Sequence, residues 1–519
     1  MSVGIHETER HIFPRWRSFR STTELGELTR PTIEIDNDTA GLDLSLAKGV
    51  ASWEGNHSLW RGLDLLGTVI VAGKLESFSA LVAEIRSNPL VPKITRELLE
   101  KTEKPQPVQM NLPESGSIPD LAARQEIRAH RASLATAPRD PIEWIELARA
   151  YTIAGVNHKA EKAVLAALQL APDNRFVLRS AARFLIHIGK AEKAQGLLSR
   201  APIIRHDPWI LASEIAIADS LGKPTRFVKL AREKMEADIA PSELTELASA
   251  LGSLEAENGN HRVARRFLRR ALIDANENSV AQIRWLNRSH LGEAIDVSHA
   301  NPPLLHEANS WASYYKGEFE TARKEALSWL EDQPFASAPA TLSSFIAADI
   351  FLDFESGKSI ALASLKSNPD DPMLLNNLAV CLMELGELDT AATILSRLKY
   401  EERGGKIDAT HKATFGMFAF RKGNYEEGRK LYLDAIDKAT NSGEKATAAR
   451  AVSHLVIEEL IADTTNVEEA ILRLKEFDGL DEFKERSRFF DRIRALMKAE
   501  QRGLLPLVEA SSIIGRGAV

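Results

Sequence analysis

The chain has 519 residues, 44% hydrophobic and 27% charged, enough apolar material for several cores or one long array, which excludes a wholly disordered chain. A formal net charge of −7 and a pI near 6.1 give no general attraction to nucleic acid or anionic membranes, so any polyanion binding must come from a local patch. The one cysteine, Cys381, excludes an internal disulfide framework and a cysteine-rich zinc site, and fits a reducing compartment.

The opening MSVGIHETER has no basic segment leading into an apolar core, so no secretory signal is expected. The longest apolar run, residues 63–72, is short for a bilayer and contains Asp64. The expectation is a soluble, cytoplasmic protein without membrane contact.

Residues 1–36 read as an irregular arm. Within it, HIFPRWRSFR interleaves Arg15, Arg17 and Arg20 with Phe13, Trp16 and Phe19. Such a mixture can stack on bases or grip a partner groove. The simpler expectation is an arm pinned on its own chain, because an exposed row of aromatics is costly. Residues 37–103 then show helical spacing, in Leu42, Leu46 and Val50, in Trp60, Leu63, Leu66 and Ile70, and in Phe78, Leu81 and Ile85. They form an N-terminal helical module with one degenerate repeat, carrying Gly73, Ala80 and Pro89. Residues 104–120, with four prolines and no periodicity, read as a linker.

The clearest unit is PIEWIELARAYTIAGVNHKAEKAVLAALQLAPDN, residues 141–174. Trp144, Leu147, Ala148 and Tyr151, then Ala160, Val164, Ala167 and Leu168, recur at intervals of three and four. Gly155 and Asn157 split the run into two helices, and Pro172 closes the second. The order Trp144, Ala148, Tyr151, Gly155, Ala160, Ala167, Pro172 resembles the tetratricopeptide repeat (TPR) family, whose period is about 34 residues.

A glycine followed five residues later by a small residue recurs as Gly155/Ala160, Gly189/Ala194, Gly259/Ala264, Gly317/Ala322, Gly386/Ala391 and Gly423/Gly428. Gly222/Phe227 is a bulky variant, from which a wider helix crossing is expected. Gaps of 34, 33, 37 and 37 residues fit the period, and the 69 between Gly317 and Gly386 make two. The 58 between Gly259 and Gly317 do not fit. Divergent hairpins are therefore expected between Asn276 and His306 and between Ala338 and Gly357. Runs 446–461 and 467–477 form a further pair, and 483–497 a last charged helix. The fold class is all-α, an α-solenoid of TPR-like hairpins over residues 121–500, with a C-terminal tail at 501–519.

No phosphate loop, dinucleotide fingerprint, zinc-protease motif, paired CxxC or nucleophile elbow is present, and the thirteen histidines are scattered. No enzyme activity, cofactor or metal is expected. The densest charge cluster is HRVARRFLRR, residues 261–270. On a helix, Arg262, Arg265, Arg266 and Arg269 share a face opposite Ala264 and Leu268. They form a candidate polyanion patch, or a solvated face partly balanced by Glu255, Glu257 and Glu277.

The resemblance implies that the first helix of each repeat lines a concave groove for protein partners. The family's groove positions fall on Arg149 and Thr152, on Arg179, Arg183 and His187, on Met373, Asn376 and Met383, and on Met417, Phe420 and Arg421. The first two sets suggest an acidic partner segment. The last two suggest a peptide groove of adaptable methionines with an asparagine for the peptide backbone. The lysine and arginine pattern of a chaperone-binding carboxylate clamp is missing, since Thr410, Ala413 and Thr414 follow Asn376 and Asn377. The functional expectation is a non-catalytic interaction scaffold or regulatory subunit. The alternative is nucleic-acid binding by the arginine patch together with Arg15, Trp16 and Arg17.

Overall fold

The computed structural model describes residues 10–19, 40–72, 74–91, 94–96, 99–100, 118–398, 409–477, 480 and 486–501. These are helical throughout apart from turns and loops, with no strand among the described residues. They fall into two compact units, one of Arg10–Pro303 and one containing Leu304–Val519.

The first unit begins with α1 (Ala40–Gly55), α2 (Leu59–Ala72) and α3 (Ser79–Ser87), packed around Leu46, Leu63, Leu66, Leu81 and Ile85. Helix α4 (Ile118–Thr136) joins this module to a run of hairpins. These are α5 (Pro141–Ile153) with α6 (Asn157–Leu170), α7 (Arg175–His187) with α8 (Ala191–Arg200), α9 (Pro208–Ser220) with α10 (Val228–Glu236), and α11 (Pro241–Glu257) with α12 (His261–Ala271). Helix α13 (Glu277–Ser289) follows alone. Each first helix touches the next, α5 to α7, α7 to α9, α9 to α11 and α11 to α13, so their faces form one continuous wall.

The second unit repeats the scheme. It contains α14 (His306–Lys316) with α15 (Phe319–Asp332), α16 (Ser337–Phe345) with α17 (Phe354–Leu365), α18 (Pro372–Glu384) with α19 (Leu388–Arg397), α20 (Ala409–Arg421) with α21 (Tyr425–Asn441), and α22 (Lys445–Ile461) with α23 (Val467–Lys475). Helix α24 (Arg486–Gln501) packs against α22. The linker at 104–120 falls almost wholly, and the tail at 501–519 all but its first residue, outside the described residues.

Local chemistry sets where these helices begin and end. Three first helices start with Asp–Pro. Asp140, Asp207 and Asp371 each accept two backbone N–H groups of the opening turn, and proline follows where no N–H is needed. The seven repeat glycines sit in the left-handed region at the ends of first helices, as Gly155 does at φ 73°, which lets the chain reverse without a Cβ penalty.

The small residues five positions later are buried at the crossings. One of the tightest crossings is α20 on α21. A Cβ on Gly428 would lie 2.5 Å from Phe420 Cδ2 and 2.9 Å from the Gly416 carbonyl oxygen. Phe227 caps α10 rather than lying within it, and buried Ala231 takes the small position one turn later.

One expectation is corrected. Between Asn276 and His306 there is a single helix, α13, followed by irregular chain rather than a second helix. Gly292, Pro302 and Pro303 break helical continuity there. Asn287 pins the returning chain, donating to the Ile295 carbonyl at 2.8 Å and accepting its N–H at 2.9 Å. The hairpin expected between Ala338 and Gly357 is present as α16 and α17, joined by a short π turn at Ile346–Ile350.

Candidate functional site

The inner wall of the first unit carries a segment of the same chain. Residues 10–18 form neither helix nor strand. Arg10, Ile12, Pro14 and Trp16 are buried, while His11, Phe13, Arg15 and Arg17 are partly exposed. Alternation with period two is the mark of extended backbone lying on a surface.

Side chains on α13 hold one end of the arm. Asn278 and Gln282, one helical turn apart, share a face. Asn278 donates its amide to the Phe13 carbonyl at 3.0 Å, and Gln282 donates to the Arg10 carbonyl at 3.0 Å. Their side-chain oxygens accept from the Arg10 guanidinium at 2.9 and 2.5 Å. Two amides thus read both backbone and side chain of the arm. Arg17 pairs with Glu277 at 2.5 Å. Trp16, fully buried, meets Phe184 edge-on with centroids 6.2 Å apart, and Phe19 meets Phe176 at 5.2 Å. The Phe19 N–H donates to Glu146 on α5 at 2.7 Å. The arm therefore crosses the wall from α13 to α5.

Arg179, expected as an open contact for an acidic partner, is instead buried behind this surface. It donates to Glu246 at 2.7 Å, to the Trp209 carbonyl at 3.1 Å and to Ser213 at 3.2 Å, with its guanidinium 4.8 Å over the Trp209 ring. Glu246 also accepts from Asn278 at 3.3 Å. The chain Arg179, Glu246, Asn278 orients the amide that meets the arm. Thr152 is buried and donates to the Ala148 carbonyl at 2.8 Å. Arg149, Arg183 and His187 are partly buried, and burial pushes the Arg183 guanidinium down to about 10. Where the arm lies, Arg10 and Arg17 meet amide and carboxylate oxygens, a charge pattern opposite to that expected for an acidic segment.

In the second unit the predicted groove residues also turn inward. Asn376, Met383, Met417 and Phe420 are buried, and Asn376 accepts from Thr414 at 2.7 Å; Met373 is partly exposed. Arg421 donates to Glu458 at 2.8 and 2.9 Å and lies 3.4 Å from Glu384. Helix α24 supplies Arg492, which donates to Glu384 at 2.7 Å, and Phe489, whose ring is 5.1 Å from that of His454. Burial alone would raise the Glu384 carboxyl, but the Arg492 and Arg421 guanidiniums outweigh it and hold it at about 2. Burial would likewise lower Arg421, and Glu458 with Glu384 keep it charged. The chain's own last described helix thus reaches Glu384, beside the expected groove residue Met383 and paired with Arg421.

The arginine cluster lies as expected on α12. Arg262, Arg266 and Arg269 are exposed, Ala264 and Leu268 are buried beneath them, and Arg265 is 3.7 Å from Glu293. Among the described residues, His11, Asp219 and Glu257 bring histidine and carboxylate donor atoms within 4.8 Å of one another, again joining the arm to the wall. Also among the described residues, no helix is long and apolar enough to cross a membrane.

The residues that sequence reasoning missed are Asn278 and Gln282. They sit where the repeat pattern fades, and the signal available was two side-chain amides at a spacing of four on the helix facing the earlier first helices.

Two-helix hairpins stacked by their first helices define the class, a helical-repeat scaffold. Residues 360–393, covering most of the α17 to α19 region, match the tetratricopeptide repeat model, so that stretch carries a tetratricopeptide repeat. No curated protein matches it. Solved structures that resemble it include yeast Tom70, with 15% identity, 76% of this chain and 98% of that one covered, and a TM-score of 0.27. A monomeric mutant of IFIT1 with Gppp-AAAA has 13% identity, coverage of 89% and 96%, and a TM-score of 0.31. Naa15/Naa10 bound to HypK-THB has 12% identity, coverage of 92% and 86%, and a TM-score of 0.21. At these values the likeness carries no information about ligands.

Proposed function

We propose that this protein is a non-catalytic interaction scaffold or regulatory subunit, and that the inner wall of its first unit receives an extended segment of a protein partner. The observation that carries this reading is the seating of Arg10–Phe19. A wall that supplies amides to main-chain carbonyls at two positions, and apolar contacts for alternate side chains between them, has the chemistry of a peptide site. A second reading, nucleic-acid binding, rests on exposed Arg262, Arg266 and Arg269. Trp16 and Arg17, which that reading also needed, are engaged with the wall.

Site-specific photo-crosslinking in native extract tests the choice, with the crosslinker at Phe176 on the wall or at Arg266 on α12. Protein adducts from position 176 that exceed those from 266 support the scaffold. Nucleic-acid adducts from 266 with none from 176 replace it with the alternative.

A further inference from the structure

The arm shows which partner chemistry the wall accepts. Resting on the groove reading above, we infer that Arg10–Phe19 is an internal stand-in for a partner segment, and that the partner is an extended protein segment of the same basic and aromatic character that displaces it.

Three observations converge. First, the arm's fixed points are of two kinds. Asn278 and Gln282 address backbone carbonyls, which any extended chain presents, whereas Glu277 and the rings of Phe184 and Phe176 select an arginine and two aromatics. A segment with arginines seven positions apart, apolar groups at alternate positions between them, and aromatics one position before and two after the second arginine reproduces these contacts. Second, acids meet the arm along its whole length, namely Asp219 near His11, Glu277 at Arg17 and Glu146 at the Phe19 N–H. An acidic segment would place carboxylates against these acids, a like-charge cost that the arm's arginines avoid.

Third, the hold is suited to exchange. Fixing ten residues of backbone costs conformational entropy that offsets much of what burying Ile12, Pro14 and Trp16 provides. Phe19, the last described residue of the arm, is already 37% exposed. The arm nevertheless stays bound in the isolated chain because it is tethered, at an effective concentration of about a millimolar. A partner segment that adds contacts beyond Phe19 can win that competition.

The test uses the full chain and a fluorescein-labelled peptide with the sequence of residues 9–20, ERHIFPRWRSFR, followed by anisotropy. The wild type, its wall occupied, binds weakly. Trp16→Ala/Phe19→Ala and, separately, Arg17→Glu loosen the tethered arm and are expected to bind the peptide at least tenfold more tightly. Adding Asn278→Ala/Gln282→Ala to either loses that gain, and a peptide with its arginines replaced by glutamate binds none of the proteins. Equal binding to wild type and arm variants, or preference for the acidic peptide, overturns the inference. So does loss of cooperative melting in both arm variants, which would make the arm a permanent part of the fold. If the crosslinks from position 176 persist while the peptide fails to bind, only the partner chemistry inferred here is wrong. If those crosslinks are absent, the groove reading itself falls.

Discussion

Asn278 donates its side-chain amide to the carbonyl oxygen of Phe13 at 3.0 Å, across 265 positions of sequence. The same side chain accepts from Arg10 and is braced from behind by Glu246, so one residue both senses the arm and is positioned by the wall. Asn278→Ala removes one partner from the part-buried Phe13 carbonyl and one of the partners of the buried Arg10 guanidinium, each loss worth about 1–3 kcal/mol. Amide hydrogen exchange over residues 10–19 is therefore expected to quicken by about tenfold or more, with α7 and α9 unchanged. Unaltered protection of the arm would show that Asn278 is incidental to its seating.

Arg179 offers a second check on the same relationship. Its guanidinium is expended on Glu246, Trp209 and Ser213, so it acts on the arm through Asn278. Arg179→Met keeps the stem, removes the charge and strands Glu246, and breaking such a buried pair costs about 3–5 kcal/mol. The melting temperature is expected to fall, and exchange at residues 10–13 to rise with it. Glu246→Gln, which still accepts from Asn278, should restore part of the arm's protection in the double variant. Absence of any rescue would place Arg179 in the core alone.

The repeat frame was legible in sequence because it depends on residues with one dominant reason to be where they are. Glycine at Gly155 or Gly386 serves a left-handed helix end, and Ala160 or Ala391 a close crossing. Gly443 with Ala448 has the same spacing and also ends a helix at positive φ, yet it joins α21 to α22 and so lay off the expected period. The wall was less legible. Positions such as Arg179 and Arg421 were identified as facing inward, but the acids that neutralise them, Glu246, Glu384 and Glu458, lie one or two repeats away in sequence. The pattern of a single helix does not show which charges will be matched by its neighbours. The arm's pinning was expected from its aromatics, whereas its partners Asn278 and Gln282 were hidden in a stretch without repeat periodicity.

The α20–α21 crossing sets a packing limit. A methyl group at Gly428 meets the Phe420 ring and the Gly416 carbonyl below 3 Å, and backbone cannot yield as a side-chain tip does. Gly428→Ala is expected to destabilise by about 1–3 kcal/mol through overpacking. Gly67→Ala in α2, where nothing lies within 4 Å, is expected to be neutral or to stabilise by about 0.5–1 kcal/mol, because alanine is the better helix former. Urea midpoints for the two variants moving in the same direction would contradict this account of the crossing.

Cys381 reports on the second unit. It is fully buried beside Gly357, and burial pushes its thiol up to about 12, so at pH 8 almost no thiolate is present to react. A disulfide reagent such as dithiobis-nitrobenzoate is expected to leave the native protein unmodified. Labelling should follow urea-induced opening of the unit containing α18. Rapid stoichiometric labelling without denaturant would mean that the α17–α18 interface opens on its own.

Glu384 ties the acid stability of the second unit to α24. Its carboxyl is held at about 2 in the folded chain by Arg492 and Arg421, against an ordinary value of 4.5. The folded state therefore binds this proton less readily than the unfolded state. Its stabilisation is fully present above pH 4.5 and is lost as pH falls toward 2. His454, lowered by burial, and Glu458 on α22 face the same cluster and set its neighbouring charges. Glu384→Gln leaves Arg492 facing an amide and is expected to cost about 3–5 kcal/mol at neutral pH. It should also flatten the fall in stability between pH 4.5 and 2. Arg492→Met should weaken the same acid slope from the α24 side. Melting curves of wild type and Glu384→Gln that run parallel through that interval would show that another carboxylate governs acid unfolding.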